Sequence, residues 1–330
     1  MDSSALQQEL FKIIKSKLSA HQSLNEVVQE LFKIGADSAY RRIRGEKQLL
    51  FEELQKLCEV YKISLDQLMN FKSDTTIFHG NYLDKTNFDF SKYLGNILSN
   101  LDEIASLPGA KIFIDTKDIP PFHYYQFTEL AAFKYFVWMQ FLLQYDEYNK
   151  ISFEEHDLMQ PLLDTGKKIT AAYCRIPSIE IWNLETINST IRQIGFYYES
   201  GIIAKKATAE LLYEQLITLI AHIESQAETG KKFLHGTTPA EQDAEFRMFA
   251  NGVFLGDNTI LVTCNNESRS YVTHGVLNFM TTQDERFTGF AKKTFDNLMR
   301  KSSLISVVNE RERNKFFREL KQRVESAMHF

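Results

Sequence analysis

The sequence predicts a mainly α-helical protein in two parts. An N-terminal bundle of five short helices is followed by a larger, mostly helical domain with a small antiparallel β-sheet near residues 252–281. Three observations predict this. Apolar residues recur at helical spacing through most of the 330 residues. Around Phe249 the texture changes, and a Gly-Asp-Asn turn separates β-branched and apolar runs. Between Asn70 and about Asp89 the helical pattern dissolves, which divides the chain into residues 1–70, a linker or strap over 71–89, and a domain over 90–330.

Composition bounds the function. The chain is 44% apolar and 25% charged, ordinary for a soluble protein with a full core. Its net charge of −5 excludes the broad basic field that a non-specific nucleic-acid binder needs to release counterions from a duplex. Cys58, Cys174 and Cys264 lie far apart and never in CxxC spacing. That argues against a disulfide framework or zinc knuckle and suits a reducing cytosol. MDSSALQQEL has neither the basic start nor the apolar run of a signal peptide. The most apolar stretch, Phe133 to Leu143, is interrupted by Lys134 and Gln140 and falls short of the ~20 apolar residues that span a bilayer. A cytoplasmic protein without a membrane segment is expected.

In chain order, Leu6, Leu10, Ile13, Ile14 and Leu18 mark a leading helix over residues 1–20. Ser23-Leu-Asn-Glu26 has capping-box spacing, in which each side chain satisfies a backbone N–H left free at a helix start. Val27, Val28, Leu31 and Phe32 then define one buried face. Gly35 is expected to end this helix at positive φ. The next helix, about Ala36 to Arg44, turns Ala39 and Ile43 inward and leaves Asp37, Ser38, Arg41, Arg42 and Arg44 outward. Gly45 closes it. Leu50, Leu54, Leu57, Cys58 and Tyr61 stripe a fourth helix, and Ser64 to Met69 opens a fifth.

A helix, a tight turn and a second short helix with basic and polar residues on its open face form a helix-turn-helix, whose second helix fits the major groove. Residues from about Leu6 to Met69 resemble a Cro/C1-type (lambda-repressor-like) helix-turn-helix domain. RIRGEK at the exit of the recognition helix and EELQKLCEVYKISLDQLM carry the resemblance. The variant with AYRRIRGE is similar to the N-terminal domain of a group of bacterial one-component regulators. The recognition helix is one residue shorter before Gly45 than in most members, which leaves the individual base-reading positions open.

The resemblance implies a division of roles. Asp37, Ser38 and Arg41 match the base-contacting face, and arginine reads guanine through paired hydrogen bonds to O6 and N7. Arg42, Arg44 and Lys47 are expected on phosphates, which set register without reading sequence. Gln22 or Ser23 matches a position that touches the operator backbone. One such module reads a half-site, so a homodimer on a palindromic double-stranded DNA operator is implied, with half-sites ~34 Å or a multiple apart.

The larger domain is read from its residues alone. Phe90 to Leu107 is amphipathic, Lys111 to Asp115 is a short strand candidate, and Pro120-Pro121 breaks any continuation. The aromatic stretch that follows is a core helix covered all round, or the wall of an effector pocket built from His123, Tyr124, Tyr125, Phe127 and Trp138. Helical patterns follow at Phe153–Tyr173, Glu185–Ser200, Lys206–Glu228 and Asp243–Phe249, then the small sheet, then helices at about Glu285–Lys301 and Glu310–Met328. Glu154-Glu-His-Asp157 sets carboxylates beside a histidine, but adjacent helical residues point apart, so a solvated helix start is the simpler reading. His123 and His274 are read as structural histidines. The sequence holds no GxSxG, Walker loop, GxGxxG or HExxH, so neither an enzyme, a metal nor a cofactor is expected. The expectation is a DNA-binding regulator whose C-terminal domain dimerises or senses a small molecule or peptide. The alternative is a protein- or peptide-binding module whose N-terminal bundle docks a protein partner.

Overall fold

The computed structural model describes residues 3–19, 22–63, 65, 68, 75–80, 88–148, 151–154, 159–253, 258–265, 267–275 and 277–328. The chain divides into two units, Met1–Ile77 and Phe78–Phe330. Most of the strap expected over 71–89 lies outside the described residues.

In the first unit, α1 (Ser3–Ser16), α2 (Leu24–Phe32), α3 (Ala36–Ile43) and α4 (Phe51–Tyr61) enclose a small core of Leu10, Phe11, Ile14, Val28, Ala39 and Leu57. The fifth helix expected over Ser64–Met69 lies largely outside the described residues, although Leu68 is buried against this core. Two local expectations are corrected. Lys33, not Gly35, takes the left-handed conformation that ends α2 (φ 54°, ψ 50°), and Gly35 is extended (φ −73°) as the residue that starts α3. Ser23 starts α2 but makes no side-chain capping bond.

The second unit overturns the mainly α expectation. Its centre is a seven-stranded mixed sheet in the order β6-β5-β4-β1-β2-β3-β7. α5 (Phe90–Ser106) precedes β1 (Lys111–Asp115). The one-turn α6 (Pro121–Tyr124), α7 (Thr128–Val137) and α8 (Gln160–Cys174) then cross over to β2 (Ser178–Trp182), which pairs parallel to β1. From there α9 (Asn188–Glu199) and α10 (Lys206–Thr229) cross over to β3 (Phe246–Ala250), parallel to β2. The chain returns to the other side of β1 as β4 (Thr259–Cys264), antiparallel, and continues outward through β5 (Glu267–Thr273) and β6 (Phe279–Thr282). After α11 (Glu285–Arg300), β7 (Ser303–Leu304) pairs with β3, and α12 (Glu310–Ala327) follows. The small sheet expected near 252–281 is thus one wing of a much larger one.

The alternation along each strand shows that both faces are covered. Ile112, Ile114, Trp182, Phe246, Met248 and Val262 belong to a core shared with α5, α7, α8, α10 and α12. Phe113, Ile179, Ile181, Phe249 and Leu261 face the other way, against Ala291 and Phe295 of α11. Strands buried on both sides lose the in/out polarity that marks a strand in sequence. A short apolar run of this kind is not separable from a piece of buried helix by its period. Phe246–Phe249 therefore reads as helical, whereas Ser178-Ile-Glu-Ile does alternate but is short, and its polar positions are turned into protein and not toward solvent.

Glu180, at the centre of β2, lies on the face beneath the helices and is fully buried. Its carboxylate accepts from Trp182 Nε1 at 2.8 Å, Tyr173 Oη at 2.6 Å and His123 Nε2 at 3.0 Å. Burial pushes this carboxyl up, but the His123 charge and the hydrogen bonds from His123 and Tyr173 outweigh it and hold it below the usual range. Nearby, buried Lys232 donates to the Ile176 carbonyl at 2.9 Å, with its Nζ 3.0 Å from the centre of the Tyr173 ring. Burial brings its ammonium down to about 7, against the opposing pull of Cys174 and Glu180. Removing the carboxylate would strand three buried donors. Glu180→Ala is therefore expected to destabilise this unit by about 3–5 kcal/mol, read from urea unfolding followed by the fluorescence of Trp138 and Trp182.

Candidate functional site

The first candidate surface is the open face of α3. Ala39 and Ile43 anchor the helix to the core. On the far side, Asp37, Tyr40, Arg41 and Arg44 are exposed in an i, i+3, i+4, i+7 row. That spacing puts all four on one face of a helix. Arg41 has no side-chain partner among the described residues, so its guanidinium stands free. Arg44 lies 5.6 Å from the centre of the Tyr40 ring and pairs with Glu46 at 3.3 Å. Lys47 is exposed just beyond, as are Gln22 and Ser23 ahead of α2. Tyr40 is not among the residues that the sequence singles out. Its place three residues after Asp37 and four before Arg44 is the signal that could have found it.

Arg42 is corrected. It is not outward but buried, with 4% of its surface exposed. Its Nε and Nη2 donate to the two Glu53 carboxylate oxygens at 3.0 and 2.8 Å, and Nη1 donates to Ser38 Oγ at 2.7 Å. Ser38 is half-buried by the same contact. Glu53 also accepts the Leu50 N–H at 3.0 Å and so satisfies the start of α4. From the other side, Gln7 of α1 donates to the Arg42 and Lys47 carbonyls at 2.7 and 2.8 Å and accepts from Leu49 N at 3.0 Å. The RIRGEK segment is thus a clamp. Its buried arginine ties α3 to α4, and the backbone of its exit loop hangs from α1. Gly45 sits in that loop at φ +77°, where a Cβ would run into Ser4.

The second candidate is a cleft of about 570 Å³ in the larger unit. Of the residues predicted for a pocket, Tyr124, Tyr125 and Trp138 line it. His123 and Phe127 do not. His123 is turned to Glu180, and Phe127 packs against His235 with ring centres 5.0 Å apart. A residue passed over in sequence, Lys134, reaches the cleft from α7, a helix buried continuously from Leu130 to Val137. It is 1% exposed, and its Nζ donates to Gln193 Oε1 at 2.9 Å and Thr190 Oγ1 at 3.1 Å, with Asp118 at 3.5 Å. Burial pushes its ammonium down, opposed by the Asp118 carboxylate. Helix α7 runs on into a π-helical turn, Trp138–Leu142, where Leu143 N donates to Trp138 O at 2.9 Å.

The remaining sites of interest resolve simply. Glu154 accepts from Ala204 N and Lys205 N at 3.0 Å each, at the start of α10, while Glu155, His156 and Asp157 lie outside the described residues. His274 is exposed in the turn between β5 and β6. Among the described residues no helix is long and apolar enough to cross a membrane.

The clamp carries a pH dependence. Burial pushes the Glu53 carboxyl up, but the hydrogen bonds from Arg42 and Leu50 and the Arg42 and Lys47 charges outweigh it, leaving it below its ordinary value. A depressed folded value stabilises the fold fully above the unfolded carboxylate's ~4.3 and is lost as pH falls through the folded value. Glu53→Gln is expected to cost the N-terminal unit about 1–3 kcal/mol at neutral pH. The gap to the wild-type chain should close below pH ~4. Amide exchange in α3 and α4, compared between the two proteins at each pH, reads both effects. No protein-family model, curated protein or solved structure matches this chain.

Proposed function

We propose that this chain is a sequence-specific DNA-binding regulator that reads its operator with α3. One observation carries the reading: Asp37, Tyr40, Arg41 and Arg44 form a single exposed row on a short helix whose opposite side is held by Ala39, Ile43 and the Arg42–Glu53 pair. In this reading Arg41, with its free guanidinium, is the base reader, and Arg44 and Lys47 meet phosphates. Asp37 and Tyr40 flank Arg41 for further base or sugar contacts. Arg42 has a supporting role, because its guanidinium is buried and held by Glu53 and Ser38, away from where a phosphate would lie. The chain acts in the cytoplasm as a homodimer on a palindromic site. The larger unit supplies dimerisation, effector sensing or both.

A second reading rests on Leu50 and Phe51, which are 63% and 77% exposed at the start of α4. Large apolar side chains in that position suit a protein partner for the N-terminal unit. The two readings differ in salt dependence and in the role of Arg41.

A mobility shift on a palindromic fragment from upstream of the chain's own gene tests the first. Arg41→Ala is expected to weaken binding by about 1–3 kcal/mol and relax specificity at one base pair of each half-site. Lys47→Ala should weaken binding evenly across sequences and make the dependence of log affinity on log salt shallower by about 1 for each phosphate no longer neutralised. An Arg41→Ala protein that binds with unchanged affinity and specificity would remove α3 as the reader.

A further inference from the structure

We infer that the cleft beside β1 is a binding site for a small amphipathic carboxylate, an apolar or aromatic body ending in an acid. The site is separate from α3, and the inference holds whether or not the N-terminal unit binds DNA.

Topology places the cleft. Strands β1, β2 and β3 step across the sheet in one direction through two parallel crossovers, and β4 then returns to the opposite side of β1. In open α/β sheets ligands bind outside the carboxyl ends of the parallel strands. Here Thr116 to Pro121, directly after β1, form one side of the cleft, and Asn258, Ile260 and Thr273 form another. Asn258 Oδ1 fastens the two together by accepting from Lys117 N at 2.7 Å and Asp118 N at 3.2 Å. The volume of about 570 Å³ lies within the range of small-molecule sites, about 300–1,000 Å³.

The wall is flat and apolar. Tyr93, Tyr124, Tyr125 and Trp138 line it from the helical side, and Ile114 and Ile260 line it from the sheet. Gly166 of α8 supports this wall from behind: a Cβ there would collide with the Tyr135 hydroxyl and lie 3.1 Å from Tyr125 Cβ.

The charges settle the sign of the head group. Two carboxylates line the cleft, and each already has a cation. Asp118 faces Lys134 at 3.5 Å and accepts from the Tyr124 hydroxyl at 3.3 Å. Glu185 pairs with Arg323 at 2.9 Å. The exposed cations Arg192 and Lys117 also line the cleft, and neither side chain has a partner among the described residues. Helix α9 begins one turn before Arg192 without a side-chain cap at Ile187, and Asn188, which donates to the Glu185 carboxylate, and Ser189 of its first turn also line the cleft. Its positive end adds to the two free cations. With the acids neutralised internally, the surplus at the rim is positive. An anion answers it, and a cation does not.

The test uses three probes with one body and different heads: 4-phenylbutanoate, 4-phenylbutanamide and 4-phenylbutylammonium, each titrated calorimetrically into the full chain without DNA. The carboxylate is expected to bind at least about tenfold more tightly than the amide, and the ammonium more weakly than either. In the double variant Arg192→Gln with Lys117→Gln, both exposed side chains, carboxylate affinity should fall to that of the amide while amide affinity holds. Equal binding of all three probes overturns the inference. So does preferred binding of the ammonium, a double variant that keeps the carboxylate preference, or no binding of any probe up to about 1 mM.

Discussion

A buried charge must be answered inside the fold, because desolvation costs several kcal/mol per ion and only a close, hydrogen-bonded partner offsets it. This constraint organises both units. In the larger one it converges on Glu180, which sits in a strand covered on both faces and therefore has no route to water. Three elements besides its own turn to meet it: His123 comes from α6, Tyr173 from α8, and Lys232 approaches from the segment after α10. The helical layer is thereby keyed to the sheet at one point.

The same rule sorts the arginines of the N-terminal unit. Arg41, Arg42 and Arg44 follow one another within four positions, yet they do different things. Arg42 is committed to Glu53 and Ser38, and its pairing keeps α3 and α4 in register. Arg41 and Arg44 are left facing solvent on the row with Asp37 and Tyr40. In the proposed function the buried arginine acts on DNA only by holding the reading helix still. Such a helix needs little reorganisation on binding, so more of the contact energy appears as affinity. The cleft of the larger unit repeats the arrangement. Lys134, paired inside, stiffens the wall, whereas Lys117 and Arg192 remain open.

The resemblance to Cro/C1-type helix-turn-helix domains rests on RIRGEK and on the helix pattern through Met69. In the structure RIRGEK is above all an assembly of internal contacts, with Gln7, Glu53 and Ser4 around it. The similarity therefore bears first on how the helix is mounted.

What the sequence determined by itself was the set of amphipathic helices. Leu10, Ile14, Val28, Ala39 and Leu57 fall at helical spacing and all become core, and Phe90–Ser106, Lys206–Thr229 and Glu310–Ala327 run close to their expected bounds. A one-sided helix writes its burial into a local period. Only tertiary structure decided the seven-stranded sheet, because β2 and β3 are five-residue strands covered above and below, so that even the polar positions of Ser178-Ile-Glu-Ile-Trp182 face protein and not solvent. It also decided which charges are free. Arg41 and Arg42 are neighbours of one type, and the difference between them is a carboxylate eleven residues beyond Arg42, brought within reach by the packing of α4 against α3.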